Sequence, residues 1–200
     1  MDKFFLGAVD LRSAKQNDTS MNIINAKDYN RIPWNNGAGF TCDIAISTAD
    51  EPFWRLSLAE MPTAAPFSLF PKLSRILTVV QGHGLTLVSD NSTIDAPFET
   101  PVAFSGDLPV VGHLKDGPVQ NYNLVFDNTR FQADVVVKDA NQSPIQNGDI
   151  IAIFLLLGQI ELNGDTAIAG DTLFARNETT KLEFSQNARA VFTTLTKIAP

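Results

Sequence analysis

The sequence predicts an all-β chain made of two copies of one antiparallel unit, and three observations predict it. Apolar residues alternate at period two through most of the chain. The strand-like runs are short and are punctuated by Gly, Pro, Asn and Asp. The order of features in the first half then returns in the second. The expected architecture is two packed antiparallel β-barrel or jelly-roll units in one chain.

Taken in order, residues 1–20 end in the polar run Lys15-Gln-Asn-Asp-Thr-Ser20 ahead of Met21 and read as a flexible N-terminal extension outside the core. Asn25-Ala-Lys-Asp-Tyr29 is the one stretch with the look of a helical turn. Phe53 to Ala59 alternates, with Trp54, Leu56 and Leu58 on one face and Phe53, Arg55 and Ser57 on the other. Arg75 to Val80 is a β-branched run that breaks at Gly82-His-Gly84 and resumes at Leu85 to Val88. It reads as a hairpin, because glycine permits the positive φ of a tight turn. Val102 to Phe104, Val110 to Leu114, Gln120 to Phe126 and Phe131 to Lys138 continue the series and complete a first barrel at 21–138. The polar joint Asp139 to Gly148 leads into a smaller second unit at 139–200. There Ile151 to Leu157 reaches Gly158, then Ile160-Glu-Leu162, then Ala167-Ile-Ala-Gly-Asp171. The first half has the same order, ending at Ala103-Phe-Ser-Gly-Asp107.

Composition narrows the function. Charged residues make up 18% of the 200 residues, below the usual value of about 25%, so much of the chain is expected to be buried. The net charge of −7, from 15 Lys and Arg against 22 Asp and Glu, offers no footprint for a phosphate backbone, and no nucleic-acid partner is expected. One cysteine, Cys42, cannot close an internal disulfide, and the opening residues lack the pattern of a secretory signal, so a cytoplasmic setting is expected. The longest apolar run is eight residues, far short of the ~20 of a membrane helix, and no membrane partner is expected.

Three segments carry a family resemblance. They are Arg31-Ile-Pro-Trp-Asn-Asn-Gly-Ala-Gly39 with Thr41-Cys-Asp-Ile44, then Phe53-Trp-Arg-Leu-Ser-Leu-Ala59, then Pro66-Phe-Ser-Leu-Phe-Pro71 with Ser74-Arg-Ile-Leu77 and Val80-Gln-Gly82. In that order and spacing the chain resembles the HutD/Ves family of double-cupin proteins from about Asn22 to Phe192. The resemblance implies a bicupin fold, a bacterial cytosolic setting and an association with regulation of histidine utilisation, through binding or sensing of a small acid of that pathway. It implies no established reaction. This chain departs from the family pattern at Asn35, where a basic residue is usual, and at Asp43, where Glu is usual. It departs again at Asn121, where an acidic residue is usual.

The residues point the same way. Many cupins hold a metal through two closely spaced histidines, a carboxylate and a later histidine, whereas this chain has only His83, in a Gly-His-Gly turn, and His113. No metal and no cofactor are expected. Cys42 has no histidine beside it to activate it and reads as a small buried hydrophobe. Asp107 and Asp171 read as turn formers. The sharper signal is arginine within strand patterns, since a guanidinium is rarely buried without an anionic partner. Arg55 and Arg75 are each candidates to present a fork to a ligand carboxylate. For Arg55 the alternatives are an internal pair with Asp43 or Glu60, or exposure at a strand edge. Ser68 and Asn123 are candidate neutral hydrogen-bonding groups, Phe70 and Trp34 candidate apolar walls or core residues, and Asn36 a further candidate contact that is first of all a turn former.

The expected function is therefore a non-enzymatic bicupin that binds a small carboxylate in its first barrel and modulates or senses histidine utilisation. The alternative is a metal-independent isomerase, lyase or hydrolase acting on a small acidic metabolite, with Asp43 as base and Arg55 as electrostatic stabiliser. A purely scaffolding protein is the third reading. Uncovered sheet edges favour pairing across a homodimer.

Overall fold

The computed structural model describes residues 21–34, 37, 39–139, 148–176, 182–185 and 187–199. The expected extension at 1–20, Asn35, Asn36 and most of the joint after Asp139 lie outside the described residues. Among the described residues the chain is all-β apart from a single 3₁₀ turn at Ala26–Asp28, where the sequence shows its one helical signal. Among the described residues no helix is long and apolar enough to cross a membrane.

The chain divides into two compact units. The first, Asn30–Asn128, contains β2 (Asn30–Pro33), β3 (Phe40–Ile46), β4 (Trp54–Met61), β5 (Ala65–Pro66), β6 (Ser74–Gln81), β7 (Leu85–Val88), β8 (Thr93–Ala96), β9 (Val102–Ser105), β10 (Val111–Leu114) and β11 (Val119–Phe126). They form a six-stranded sheet ordered β2-β3-β4-β11-β6-β9 and a four-stranded sheet ordered β5-β10-β7-β8. A cluster of Leu77, Val79, Leu85, Leu87, Ala96 and Val119, with Met61, Ala65, Phe104 and Val110, draws on both sheets and forms this unit's core.

The second unit takes in residues 21–29 and the described residues from Thr129 onward. Its strands are β1 (Asn22–Ile24), β12 (Phe131–Asp139), β13 (Ile150–Leu157), β14 (Gln159–Leu162), β15 (Asp165–Ile168), β16 (Thr172–Arg176), β17 (Glu183–Phe184) and β18 (Arg189–Lys197). They form a sheet ordered β1-β16-β13-β18-β12 and a small sheet ordered β15-β14-β17. The boundary thus differs from the expected 21–138. β12 pairs along its whole length with β18, and β1 pairs with β16, so both belong to the second unit. Ladder hydrogen bonds decide this, and they depend on partners distant in sequence.

The duplication is visible in the topology. The order β4-β11-β6-β9 in the first unit is matched by β12-β18-β13-β16 in the second, and β10-β7-β8 is matched by β17-β14-β15. Even an irregularity recurs: the β6/β11 register slips between Gln120 and Asn121, and the β13/β18 register slips between Leu155 and Leu157. The Gly-Asp turns that suggested the repeat are not equivalent, however. Gly106-Asp107 follows β9, whereas Gly170-Asp171 precedes β16. In both places the aspartate braces backbone. Lys72 N–H reaches both Asp107 oxygens at 3.2 and 3.1 Å, and the Asp171 carboxylate accepts from Ala26 N–H at 2.8 Å and Ile168 N–H at 3.0 Å.

Two further expectations are corrected. The run through Gly82-His-Gly84 is not a hairpin, because β6 and β7 lie in different sheets. Gly82 (φ +94) and Gly84 (φ +104) form a corner at which a Cβ would stand 2.5 Å from the Pro118 carbonyl oxygen and 2.9 Å from that of Ala96. The glycines thus serve close approach of backbones as well as positive φ. Nor does either unit close into a barrel. Among the described residues each remains two separate sheets, because no strand of the smaller sheet, made of strands two to four residues long, pairs with a strand of the larger one.

One contact positions the loop between β5 and β6. Phe70 N–H donates to the Gly106 carbonyl and Gly106 N–H to the Leu73 carbonyl, each at 2.8 Å. A Cβ at Gly106 would lie 2.4 Å from the Phe70 carbonyl oxygen and 2.8 Å from that of Leu73. Gly106→Ala is therefore expected to destabilise the protein by about 2 kcal/mol, the usual scale for forced overpacking. An unchanged urea midpoint would show that the loop is not anchored here.

Candidate functional site

The register of the six-stranded sheet determines which side chains share a face, since cross-strand partners point the same way. Asp43 stands opposite Ser57, Ser57 opposite Asn123, and Asn123 opposite Leu77. One step along, Arg55 is opposite Val125, Val125 opposite Arg75, and Arg75 opposite Phe104. In the other direction Ala59, Asn121 and Val79 are in line. Leu77, Val79 and Phe104 belong to the core cluster, so this is the inner face. It carries Asp43, Arg55, Ser57, Arg75, Asn121 and Asn123 beside the apolar core cluster.

Arg75 is the centre of the group. It is 6% exposed. Its Nη1 donates to the Ser68 carbonyl and its Nη2 to Asn123 Oδ1, both at 3.2 Å, while its buried Nε has no acceptor. The guanidinium carbon lies 4.9 Å from the ring centre of Phe67, 5.3 Å from that of Phe70 and 5.1 Å from that of Phe104. No carboxylate pairs with it among the described residues. The aromatic faces soften the electrostatic cost of burial, as π faces attract cations. They do not cancel it: burial first, and the like charge of Arg55 second, push the Arg75 pKa down to about 10.

Arg55 is arranged differently. Its Nε donates to Asp43 Oδ1 at 2.8 Å and its Nη2 reaches the same oxygen. With the two side chains only 21% and 10% exposed, the pair is a partly buried, neutralised unit. The internal pair with Asp43, one of the alternatives for Arg55, is the arrangement found.

The structure therefore brings Arg75, Asn123, Phe70 and Ser68 together, although Ser68 contributes its backbone carbonyl and its side chain is on an exposed residue. Trp34 packs against the same apolar cluster and donates from Nε1 to Thr41 Oγ1 at 2.8 Å. Residues that sequence reasoning missed are Phe67, Phe104, Ser57 and Asn121. Ser57 shares alternation with Arg55, a signal available in the sequence. Phe67 and Phe104 reach Arg75 only through tertiary pairing, and the ring of Phe67 needs Gly112, where a Cβ would stand 2.6 Å from Phe67 Cε2. His83 is in the turn with its side chain 73% exposed, and His113 is an exposed residue of β10. The Cys42 thiol is pushed up in pKa, by burial first and then by Glu60 and Asp43, against a lowering by Arg31, so it remains a thiol at neutral pH.

The second unit serves as an internal control. Using the shared register slip to align the copies, Arg75 corresponds to Ile151, Asn121 to Ala190, Asn123 to Phe192, and Ser57 to Val136. All four belong to or pack on that unit's apolar core. The fold thus fills these positions with hydrocarbon when nothing else is asked of them.

Burying the Arg75 charge costs the folded state roughly 3 kcal/mol. Its folded pKa lies below its unfolded one, so this penalty is present in full at neutral pH. The penalty is relieved only as pH rises through about 10, where the unfolded chain holds the proton that the folded one has released. Arg75→Met is therefore expected to leave stability unchanged or raise it by about 1 kcal/mol, after the loss of two hydrogen bonds is counted. A loss of more than 2 kcal/mol in calorimetry would contradict an unpaired charge. Arg55→Ala should instead cost about 2 kcal/mol by stranding Asp43, and a double-mutant cycle with Asp43→Ala should recover part of that loss.

Comparison with known proteins agrees with this architecture. The HutD family model matches residues 26–196. An uncharacterized 21.2 kDa protein from the hutC 3' region of Pseudomonas putida is 31% identical over 150 residues, 72% of this chain and 78% of its own. Protein Ves of Citrobacter koseri is 30% identical over 152 residues, again 72% of this chain and 78% of its own. HutD from Pseudomonas fluorescens SBW25, solved in a formate condition, superposes with a TM-score of 0.76 at 28% identity, covering 90% of this chain and 100% of that one. The Escherichia coli pirin YhhW, solved with nickel(II), shares the fold alone, at a TM-score of 0.64 and 9% identity over 90% of this chain and all of its own. From the extent of the family match and the similarity to these relatives, the chain belongs to the HutD family, with that family's double-cupin fold.

Proposed function

We propose that the first unit binds a small carboxylate on Arg75 and that this binding serves the sensing or modulation of histidine utilisation. The observation that carries the reading is the Arg75 guanidinium, buried, with no carboxylate partner among the described residues and with Nε unbonded. A planar carboxylate supplies what the site lacks, a negative charge and acceptor lone pairs for a rigid fork of donors. Three phenylalanine rings around the guanidinium suit the mostly apolar lining of small-molecule sites. The second unit, apolar at the same positions, has no equivalent charge to offer. The connection to histidine utilisation rests on family membership.

The enzymatic alternative draws less support. Asp43, its proposed base, already accepts two N–H groups of Arg55 through one oxygen, so proton abstraction would have to compete with that pair.

The test is a thermal-shift titration with histidine, urocanate, formiminoglutamate, formylglutamate and glutamate on the wild type and on Arg75→Met. At ~100 times its dissociation constant, a bound acid adds about 2.7 kcal/mol, a shift of several degrees for a chain of this size. The expected result is stabilisation of the wild type by at least one acid and of the variant by none. Equal shifts in both proteins would remove Arg75 from the site, and no shift in either would remove the carboxylate.

A further inference from the structure

Arg75 determines the orientation of its neighbours. A guanidinium only donates, so Asn123 must turn its Oδ1 towards Arg75 and its Nδ2 away. That Nδ2 donates to the Asn121 backbone carbonyl at 3.3 Å and to Asn121 Oδ1. Asn121 is therefore oriented in turn, and the group it has left is a donor, Nδ2. This nitrogen is buried without an acceptor on a residue that is 0% exposed. Its cross-strand neighbours on the inner face, Ala59 and Val79, cannot accept a hydrogen bond. A buried donor left unmade is costly, and natural proteins seldom keep one without a purpose. The fold does not require it, since the corresponding residue in the second unit is Ala190.

We propose that Asn121 is a specificity-determining residue of the first unit's site: its amide donates to a second acceptor on the ligand, remote from the carboxylate on Arg75. This rests on the carboxylate reading above. Arg75 and Asn121, which carry the two vacant donors, bond opposite ends of the Asn123 amide. Bridging that one amide calls for two acceptors on the ligand separated by on the order of 5 to 8 Å, the span of a short carbon chain. The favoured ligand class is an acid with a carboxylate, carbonyl or ring nitrogen at its far end. An acid ending in an ammonium would set donor against donor and is disfavoured.

Four five-carbon acids separate these properties: glutarate, glutaramate, 5-aminovalerate and pentanoate. Titration calorimetry of the wild type should rank glutarate and glutaramate at least tenfold tighter than 5-aminovalerate. Asn121→Asp, close to isosteric, should reverse that order by exchanging a donor for an acceptor. Asn121→Ala should bring glutarate down to the affinity of pentanoate and covers the case in which the aspartate variant fails to fold, with circular dichroism reporting folding in each. If Arg75→Met abolishes binding while both Asn121 variants keep the wild-type ranking, the proposal is overturned and the carboxylate reading stands. If the wild type binds none of the four acids although a histidine-pathway acid stabilises it, this inference is overturned and the carboxylate reading stands; if it binds none of either set, both fail.

Discussion

A positive charge held out of water without a negative one beside it is expensive, and the interior of the first unit is organised around that expense at Arg75. Three ring faces, one backbone carbonyl and one side-chain amide are what the protein provides in place of a carboxylate. They come from three parts of the chain. Phe67, Ser68 and Phe70 lie on the loop after β5, Phe104 on β9 and Asn123 on β11. The loop stays in place because Gly106 admits its backbone and Gly112 admits the Phe67 ring. Small residues at two remote turns and strands thereby support a single buried ion.

Arg55 shows the other solution to the same problem. It lies on the same inner face, yet Asp43 satisfies it locally, and the pair needs nothing further. Two arginines with similar sequence surroundings thus differ in character: one is internally neutralised, and the other retains unspent hydrogen-bonding capacity. The like charge of Arg55 also acts on Arg75, adding to the unfavourable environment that an anion would relieve. The second unit, built on the same topology, has neither arginine and packs Ile151, Phe192 and Val136 instead. Duplication followed by divergence of one face accounts for a chain in which one copy carries polar chemistry and the other only packs.

The family resemblance and much of the fold were legible in local sequence. Period-two alternation marked β4, the β-branched run marked β6, and the recurrence of strand and glycine signals indicated two copies of one unit. Local signals failed where a strand had to choose between partners. Gly82-His-Gly84 resembles a hairpin in sequence because positive φ at glycine is common to hairpins and to corners between sheets. β12 continues the first unit's series in sequence, because nothing within Phe131–Asp139 encodes its pairing with β18. For the site, Arg75, Asn123 and Phe70 could be proposed from residue chemistry, but Asn121 was noted only as a departure from the family pattern.

By itself, then, the sequence determined the all-β class, the repeat and the presence of strand arginines that demand compensation, because these follow from periodicity and from the cost of burying charge. Only the tertiary structure decided which arginine is compensated. Asp43 meets Arg55 across the β3/β4 pairing, whereas Arg75 meets a ring from β9, an amide from β11 and the rings and carbonyl of the loop that leads into its own strand. Cross-strand register, set by hydrogen bonds between segments far apart in the chain, places charge beside charge or withholds it.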